Sequence, residues 1–384
     1  MPGSAMNVFS VFLQRGNQSY MTIDYKNPKL VIETSKLEPG EVAWRSPSNL
    51  AIIKYWGKHG LQLPRNPSIS FTLDSAYTDT KLEYQPRKGV DHQRIELDFF
   101  FDNAPNPAFA AKVQKFLEGV ADIFPFLRQL KLVIRSTNSF PHSSGIASSA
   151  SSMSALALCL CSLEDALFNT LNDDEGFRRK ASYVARLGSG SACRSIFAGL
   201  AEWGEIGEIE GASDLYAIPF EEEVHEVFQS YNDAILIVSK GEKSVSSRAG
   251  HALMDNNPYA DSRYQQARQR LRNLLGPLRT GNVEEFGNIL ESEAMTLHAL
   301  MMASSPPYIL IKPNTLLLID KVRAFRESTG QPLYFSLDAG PNLHLLYPDA
   351  IKGPVEDFIK NELLAYCEGG QWIADRVGKG PLQL

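Results

Sequence analysis

The chain reads as an α+β protein of two domains, and three observations carry that reading. It has 384 residues, enough for two cores when a domain runs to roughly 100–200 residues. Its first half, from about residue 21 to 220, mixes strand-like and helix-like segments. Its second half opens on a Val/Ile-rich run at 232–239, continues through helical patterns, and closes on strand-like runs at 333–337 and 343–347. That order predicts helices packed on one face of an antiparallel sheet.

Residues 1–20 carry one arginine and only a short apolar run, which makes a poor signal or transit peptide. They are expected to be an appended or disordered leader, and Met21 serves equally as a start. The first domain is expected over 21–225. Residues 132–135 read as a strand, and Asn138 leads through a Gly/Ser-rich loop into a helix at 146–163. A second helix at 175–186 ends on another small-residue loop, and 195–203 is open to helix or strand. The acidic run Glu221, Glu222 and Glu223 is the expected linker to a second domain at 226–384. Helical patterns follow at 262–275, 283–302 and 314–327, with a last helix at 354–366. There is no internal repeat or sustained heptad.

The formal net charge is −6, which argues against nucleic acid as a partner. An anionic ligand must therefore meet a local cluster of cations, and Lys54, Lys58, Arg194, Lys240, Lys243 and Arg248 lie in or beside the motifs below. Cys159, Cys161, Cys193 and Cys367 show no metal-ligand spacing and no disulfide framework, so a reducing, cytoplasmic setting is expected. No run of about twenty uninterrupted apolar residues marks a membrane span.

The most informative segment is the loop from Ser139 to Ala150, which includes Ser144, Gly145, Ala147, Ser148 and Ser149 and opens onto an apolar run. Small residues let backbone N–H groups turn toward an anion, and the following helix adds its positive N-terminal end. No Lys follows a closing Gly, so it is not a Walker A loop, and a Ser-rich helix cap remains open on these residues alone. The second loop, Gly188-Ser189-Gly190-Ser191-Ala192-Cys193-Arg194, adds an arginine. Together they point to a site for several phosphate or carboxylate groups.

These segments form an ordered set with three others. Pro47-Ser48-Asn49 leads to Lys54-Tyr55-Trp56-Gly57-Lys58, then comes Asn66-Pro67-Ser68-Ile69-Ser70, and late in the chain Asp338-Ala339-Gly340-Pro341-Asn342. From about residue 42 to 347 the set resembles the diphosphomevalonate decarboxylase family of the GHMP kinase superfamily. The resemblance implies a ribosomal protein S5 domain 2-like N-terminal domain and a ferredoxin-like C-terminal domain, with the active site in the cleft between them. It implies ATP and Mg2+ as cofactors and mevalonate 5-diphosphate as substrate. Phosphorylation of the tertiary 3-hydroxyl would be followed by loss of phosphate and carbon dioxide to give isopentenyl diphosphate. Members are often dimeric, so a homodimer is implied, with no nucleic-acid or membrane partner.

Residue by residue, the resemblance implies that Asp338 accepts or orients the hydroxyl proton. Lys54 stabilises charge on the transferring group, and the planar fork of Arg194 holds the substrate carboxylate. Tyr55, Lys58, Ser189, Ser191, Ser246, Ser247 and Arg248 would contact the substrate. Ser144, Gly145, Ala147, Ser148 and Ser149 would hold the nucleotide phosphates, with the Ser149 hydroxyl on the metal. On spacing alone Asp338 reads as a turn former, and only the full Asp338-to-Asn342 match with a strand on either side reverses that reading; Arg248 is alternatively a surface-turn residue and Trp56 equally a packing residue.

Ser143-Ser144 and Ser151-Ser152 stand where decarboxylases more often carry Ala or Gly, and 162–179 holds extra residues. The adenine pocket finds no motif in 76–109. A phosphomevalonate decarboxylase, a mevalonate 3-kinase and a catalytically silent nucleotide-binding protein on the same fold are the competing readings. Lys58 with Arg248 favours a diphosphate, and Lys54 with Asp338 favours decarboxylation.

Overall fold

The computed structural model describes residues 24–33, 37–88, 94–141, 146–171, 173–220, 224–241 and 245–384. The expected leader at 1–20, Ser143, Ser144, Gly145, the acidic run Glu221 to Glu223, and Lys243 lie outside the described residues.

The first sheet is built on long strands. Strand β1 (Gly40–Ile53) leads into a small hairpin, β2 (Lys58–His59) and β3 (Leu63–Pro64), then β4 (Ser68–Pro86) returns antiparallel along β1. Next come β5 (Glu96–Phe101), β6 (Ala104–Pro105), helix α1 (Pro107–Gly119) and β7 (Leu130–Asn138). Helix α1 starts where Pro107 pre-sets the backbone and the Asn106 side chain accepts the Phe109 N–H.

Helices α2 (Ser148–Phe168) and α3 (Asp174–Gly188) cover the sheet, followed by β8 (Leu200–Trp203) and β9 (Ala217–Pro219). By length and composition α2 is apolar enough to cross a membrane. It is instead largely buried in one core with Leu82, Leu132, Ile134 and the inner face of α3, as the central helix of a layered fold is. The Asp173 side chain caps α3 by accepting the Gly176 N–H, and Asp174 and Glu175 favour its positive end.

The second half supplies β10 (Asn232–Leu236), α4 (Ser247–Ala252), α5 (Ala260–Thr280), α6 (Val283–Met302) and α7 (Pro313–Thr329). The chain then forms β11 (Tyr334–Leu337), β12 (Leu343–Tyr347), α8 (Lys352–Phe358), β13 (Trp372–Arg376) and β14 (Leu382–Gln383). Its sheet, ordered β11-β12-β10-β13, is antiparallel throughout. One face, with Leu236, Phe335, Leu337 and Leu345, packs on α7 and α8 through Leu318, Val322, Val355 and Phe358.

The other face lies against the first domain. Ile235, Tyr334 and Leu346 share a core with Leu50 and Ile52 of β1, Phe71 of β4, and residues of α5 and α6. The Asp375 carboxylate, on β13, accepts the N–H groups of Asp74, Ser75 and Ala76 in β4. Strand β14 returns to pair with β1 through Trp44 and Gln383. The halves are thus joined by apolar packing, hydrogen bonds and one shared sheet edge.

The α+β class, the two sheets and the main helices agree with expectation. Three local readings change. The run 232–239 pairs only as far as Leu236, because Ile237 N–H turns to Gln371 O and Ser239 N–H to the Asn342 side chain. The segment 195–203 is neither one helix nor one strand: a 3₁₀ turn, Gly190–Ile196, precedes β8. The last helix changes pitch, with α8 passing into a π turn at Ile359–Leu363 and a 3₁₀ turn at Leu364–Tyr366.

Candidate active site

Lys54, just past the end of β1, and Asp338, just past β11, come from opposite halves of the chain. The Lys54 Nζ donates to Asp338 Oδ1 at 3.0 Å and to Ser336 Oγ at 2.9 Å. Lys54 is only 2% exposed, whereas the Asp338 side chain keeps 22% of its surface. An ammonium has three N–H groups, so one is left after these two bonds. Shielding from water on the lysine side makes the attraction between the two charges stronger than in open solvent.

The frame beneath this pair is polar and buried. The Glu293 carboxylate, on α6, accepts the Lys54 backbone N–H at 2.9 Å, two N–H groups of Arg263 and one of Arg270. Burial alone raises such a carboxyl, but Arg263 beside it and the donors on it bring Glu293 below the usual carboxylate range. The Lys54 carbonyl accepts from Arg263 and from the Asn66 side chain. His298 Nε2 meets the Asp338 carbonyl at 3.0 Å. Ser336 lies across the β11–β12 pairing from His344, whose Nδ1 is 2.8 Å from Asp233.

Arg194 lies in the 3₁₀ turn after α3, buried under the first sheet. Its Nε donates to Ser70 Oγ at 2.9 Å, one terminal nitrogen to Ser68 Oγ at 2.6 Å and the other to Asn49 Oδ1 at 3.3 Å. A guanidinium has five N–H groups; three donated here leave one on each terminal nitrogen, the pair that a carboxylate accepts. Asn49 is itself held, donating to Ser195 Oγ and to the Ser191 carbonyl.

The two serine loops meet. Ser149, in the first turn of α2, and Ser189, at the end of α3, have hydroxyls 3.3 Å apart. Ala147 precedes α2 in the left-handed region with φ 42°, a conformation that favours glycine. Ser148 and Ser149 also border an apolar cavity lined by Phe99, Phe101, Phe109, Ile134, Met153 and Leu156. This cavity escapes sequence reasoning, because its aromatic side chains come from β5 and α1, which carry no motif. The alternating Phe99 and Phe101 were its only trace.

A third group of residues forms around α4. Lys58 Nζ donates to Gln62 at 2.8 Å. Burial, and then the charge of Arg248, lower the Lys58 proton affinity. Ser246 caps α4 by accepting the Ala249 N–H, and Ser247 and Arg248 are exposed in its first turn. The Tyr55 ring packs edge-on against Trp203, and its buried hydroxyl has no hydrogen-bond partner. Trp56 belongs to a core with Met254, Leu297 and Met301, which settles it as a packing residue.

The described site residues thus gather in three neighbouring groups. Sequence reasoning missed Ser336, Glu293, Arg263 and His298, which lie far from the motifs along the chain. It quoted Asn49, Asn66, Ser68 and Ser70 without a role for them. Lys240 is not brought into these groups; its backbone N–H pairs with Glu368.

Comparison with known proteins follows the same outline. Residues 46–215 match the diphosphomevalonate decarboxylase-like N-terminal domain, and residues 234–369 match the mevalonate 5-diphosphate decarboxylase C-terminal domain. The chain is 28% identical over 349 residues to the diphosphomevalonate decarboxylase of Schizosaccharomyces pombe, covering 88% of this chain and 85% of the relative. To the human diphosphomevalonate decarboxylase it is 28% identical over 316 residues, covering 78% and 75%. Mevalonate diphosphate decarboxylase from Staphylococcus aureus superposes with a TM-score of 0.77 at 28% identity, over 90% of this chain and 98% of that one. A complex of MDDEF with MVAPP, AMPPCP and magnesium gives 0.75 at 27% identity, over 90% and 99%.

Proposed function

This chain belongs to the diphosphomevalonate decarboxylase family, and from that premise we propose how its own residues carry out the reaction. The enzyme converts mevalonate 5-diphosphate to isopentenyl diphosphate in the mevalonate pathway, consuming ATP in the presence of Mg2+. The observation that carries the residue assignment is the Lys54–Asp338 pair, 3.0 Å apart and contributed by the two halves of the chain.

Asp338 presents its partly exposed carboxylate to the cleft, where it orients the tertiary hydroxyl and draws on its proton. Lys54, anchored by Ser336 and Asp338, turns its remaining N–H toward the transferring phosphoryl group, whose charge it stabilises in a site poor in water. Arg194 takes the substrate carboxylate on its two remaining N–H groups. The serine and amide acceptors behind it fix the fork, so the substrate is aligned without a reorganisation cost. That contact orients the carboxylate more than it assists its loss, since tight ground-state binding opposes decarboxylation. The buried surroundings keep water from the tertiary centre as positive charge develops.

Ser148 and Ser149 at the head of α2 face the nucleotide phosphates, and the aromatic cavity beside them takes the adenine ring. Among the described residues no group of three or more His, Cys, Asp or Glu side chains could hold a metal. The hydroxyl oxygens at the head of α2 suit Mg2+, a hard cation that takes oxygen ligands, accepts few of them from protein and keeps several waters. The Ser149 hydroxyl would be its protein oxygen, and the ion would supply neutralisation of charge on the phosphates. Tyr55, Lys58, Ser189, Ser191, Ser246, Ser247 and Arg248 hold the substrate, with Lys58 and Arg248 at its diphosphate end.

The division near residue 225, a homodimeric state and a cytoplasmic setting belong to the same reading. Four free, buried cysteines support a reducing compartment. The test is carbon dioxide release by purified protein with Mg-ATP and, separately, mevalonate, its 5-phosphate and its 5-diphosphate. One ATP consumed per carbon dioxide, with the diphosphate preferred, is the expected result. Faster turnover of the monophosphate would overturn the substrate assignment.

A further inference from the structure

His251 lies three residues beyond Arg248 on α4, and none of the roles above uses it. Its Nδ1 accepts the Gly57 backbone N–H at 3.0 Å, the residue immediately before Lys58. Its ring lies against both Tyr55, with centroids 4.3 Å apart and planes tilted by 39°, and Trp56, at 4.5 Å and 35°. Gly57 itself has φ +100°, a left-handed conformation open to glycine. One turn of α4 is pressed onto the same segment: a Cβ on Gly250 would stand 2.7 Å from both the Trp56 ring and the Tyr308 hydroxyl. The contact therefore has no slack.

We propose that His251 is a positioning residue, which sets the spacing of the two cations at the substrate's diphosphate end, Lys58 from the first half and Arg248 from the second. The acceptor at Nδ1 fixes the Gly57 N–H, and the ring adds packing against Tyr55 and Trp56; a neutral imidazole supplies both. Burial, reinforced by the Lys58 charge, lowers the His251 proton affinity to about 3, so Nδ1 keeps its lone pair throughout the neutral range. Without the bond, the Gly57 N–H is left buried without a partner, and Lys58 loses its fixed distance from Arg248. The inference rests on the assignment of Lys58 and Arg248 to the diphosphate.

Steady-state kinetics on the full chain tests it with His251→Phe, which keeps a flat ring and loses the acceptor, and His251→Asn, which keeps an acceptor at the same reach and loses the ring. Lys58→Ala and Arg248→Ala serve as reference variants. His251→Phe should raise KM for mevalonate 5-diphosphate at least about fivefold, the effect of one lost buried hydrogen bond. Its kcat should stay within about twofold, and KM for ATP should not move, because the nucleotide loop is untouched. His251→Asn should lie closer to the parent. If the phenyl ring prevents folding, His251→Leu makes the same comparison. An unchanged KM in His251→Phe, an equal rise for both substrates, or His251→Asn as impaired as His251→Phe would overturn the proposal. If Lys58→Ala and Arg248→Ala also leave KM unchanged, the diphosphate assignment itself fails and the proposal falls with it.

Discussion

The hydroxyls of Ser149 and Ser189 face each other across 3.3 Å, so the head of α2 and the end of α3 share one border. On the proposed assignment, nucleotide and substrate contacts would meet edge to edge there, as direct phosphoryl transfer requires. Ser149→Ala should raise the Mg2+ concentration for half-maximal turnover about tenfold, the scale of losing one interaction at a metal site. KM for mevalonate 5-diphosphate should barely change. Titration of Mg2+ at saturating ATP measures the first quantity, and equal rises in both would reassign the hydroxyl to the loop scaffold.

Asp338→Asn keeps the shape of the turn but removes the charge that Lys54 pairs with. kcat should fall by about 10²–10⁴-fold, the usual contribution of a positioned acid–base group. ATP affinity should persist, and no 3-phosphorylated intermediate should accumulate, because the block precedes its formation. Normal product formation by a variant that binds ATP would leave Asp338 as a turn residue.

Arg194→Lys keeps a charge but cannot satisfy Ser68, Ser70 and Asn49 while offering two parallel N–H groups to a carboxylate. Turnover should drop at least roughly tenfold, equivalent to about 1.4 kcal/mol in the barrier. Near-parental turnover would show that the substrate carboxylate is held elsewhere.

Phe101→Ala opens the aromatic cavity beside Ser148 and Ser149. KM for ATP should rise by about five- to hundredfold, the range for one lost base–aromatic contact of about 1–3 kcal/mol. KM for the acid substrate should stay put. A variant with unchanged KM for ATP would remove the cavity from nucleotide binding.

Glu293→Gln breaks a buried network rather than a substrate contact. It leaves Arg263 and Arg270 without their counter-charge, which costs about 3–5 kcal/mol when one partner of a buried pair is removed. Denaturant unfolding at neutral pH should show this loss. Because folding lowers the Glu293 pKa, its contribution is full above the unfolded carboxyl pKa of about 4.3 and is lost as pH falls through the lower folded value. The gap between parent and variant should therefore narrow only on acidification below about 4. A gap independent of pH in that window would show that charge is not what Glu293 supplies.

What the sequence determined by itself was local. Periodicity marked α6 at both ends and β12 at both ends, since side chains three to four or two apart reveal which face is buried. The ordered motifs named Lys54, Arg194, Asp338 and the serines, because small residues in loops and a few cations are what phosphate and carboxylate ligands demand. The tertiary structure decided what stands behind them. Glu293 is 239 residues from Lys54 along the chain, and Ser336 is 282. Folding alone brings both to Lys54, Glu293 at its backbone N–H and Ser336 at its ammonium, since hydrogen bonds and buried charge pairs depend on distance in space, which local sequence patterns do not encode. The same holds for the aromatic cavity, assembled from β5, α1, β7 and α2, and for the bond from Gly57 to His251, one of several that tie the two halves at the site.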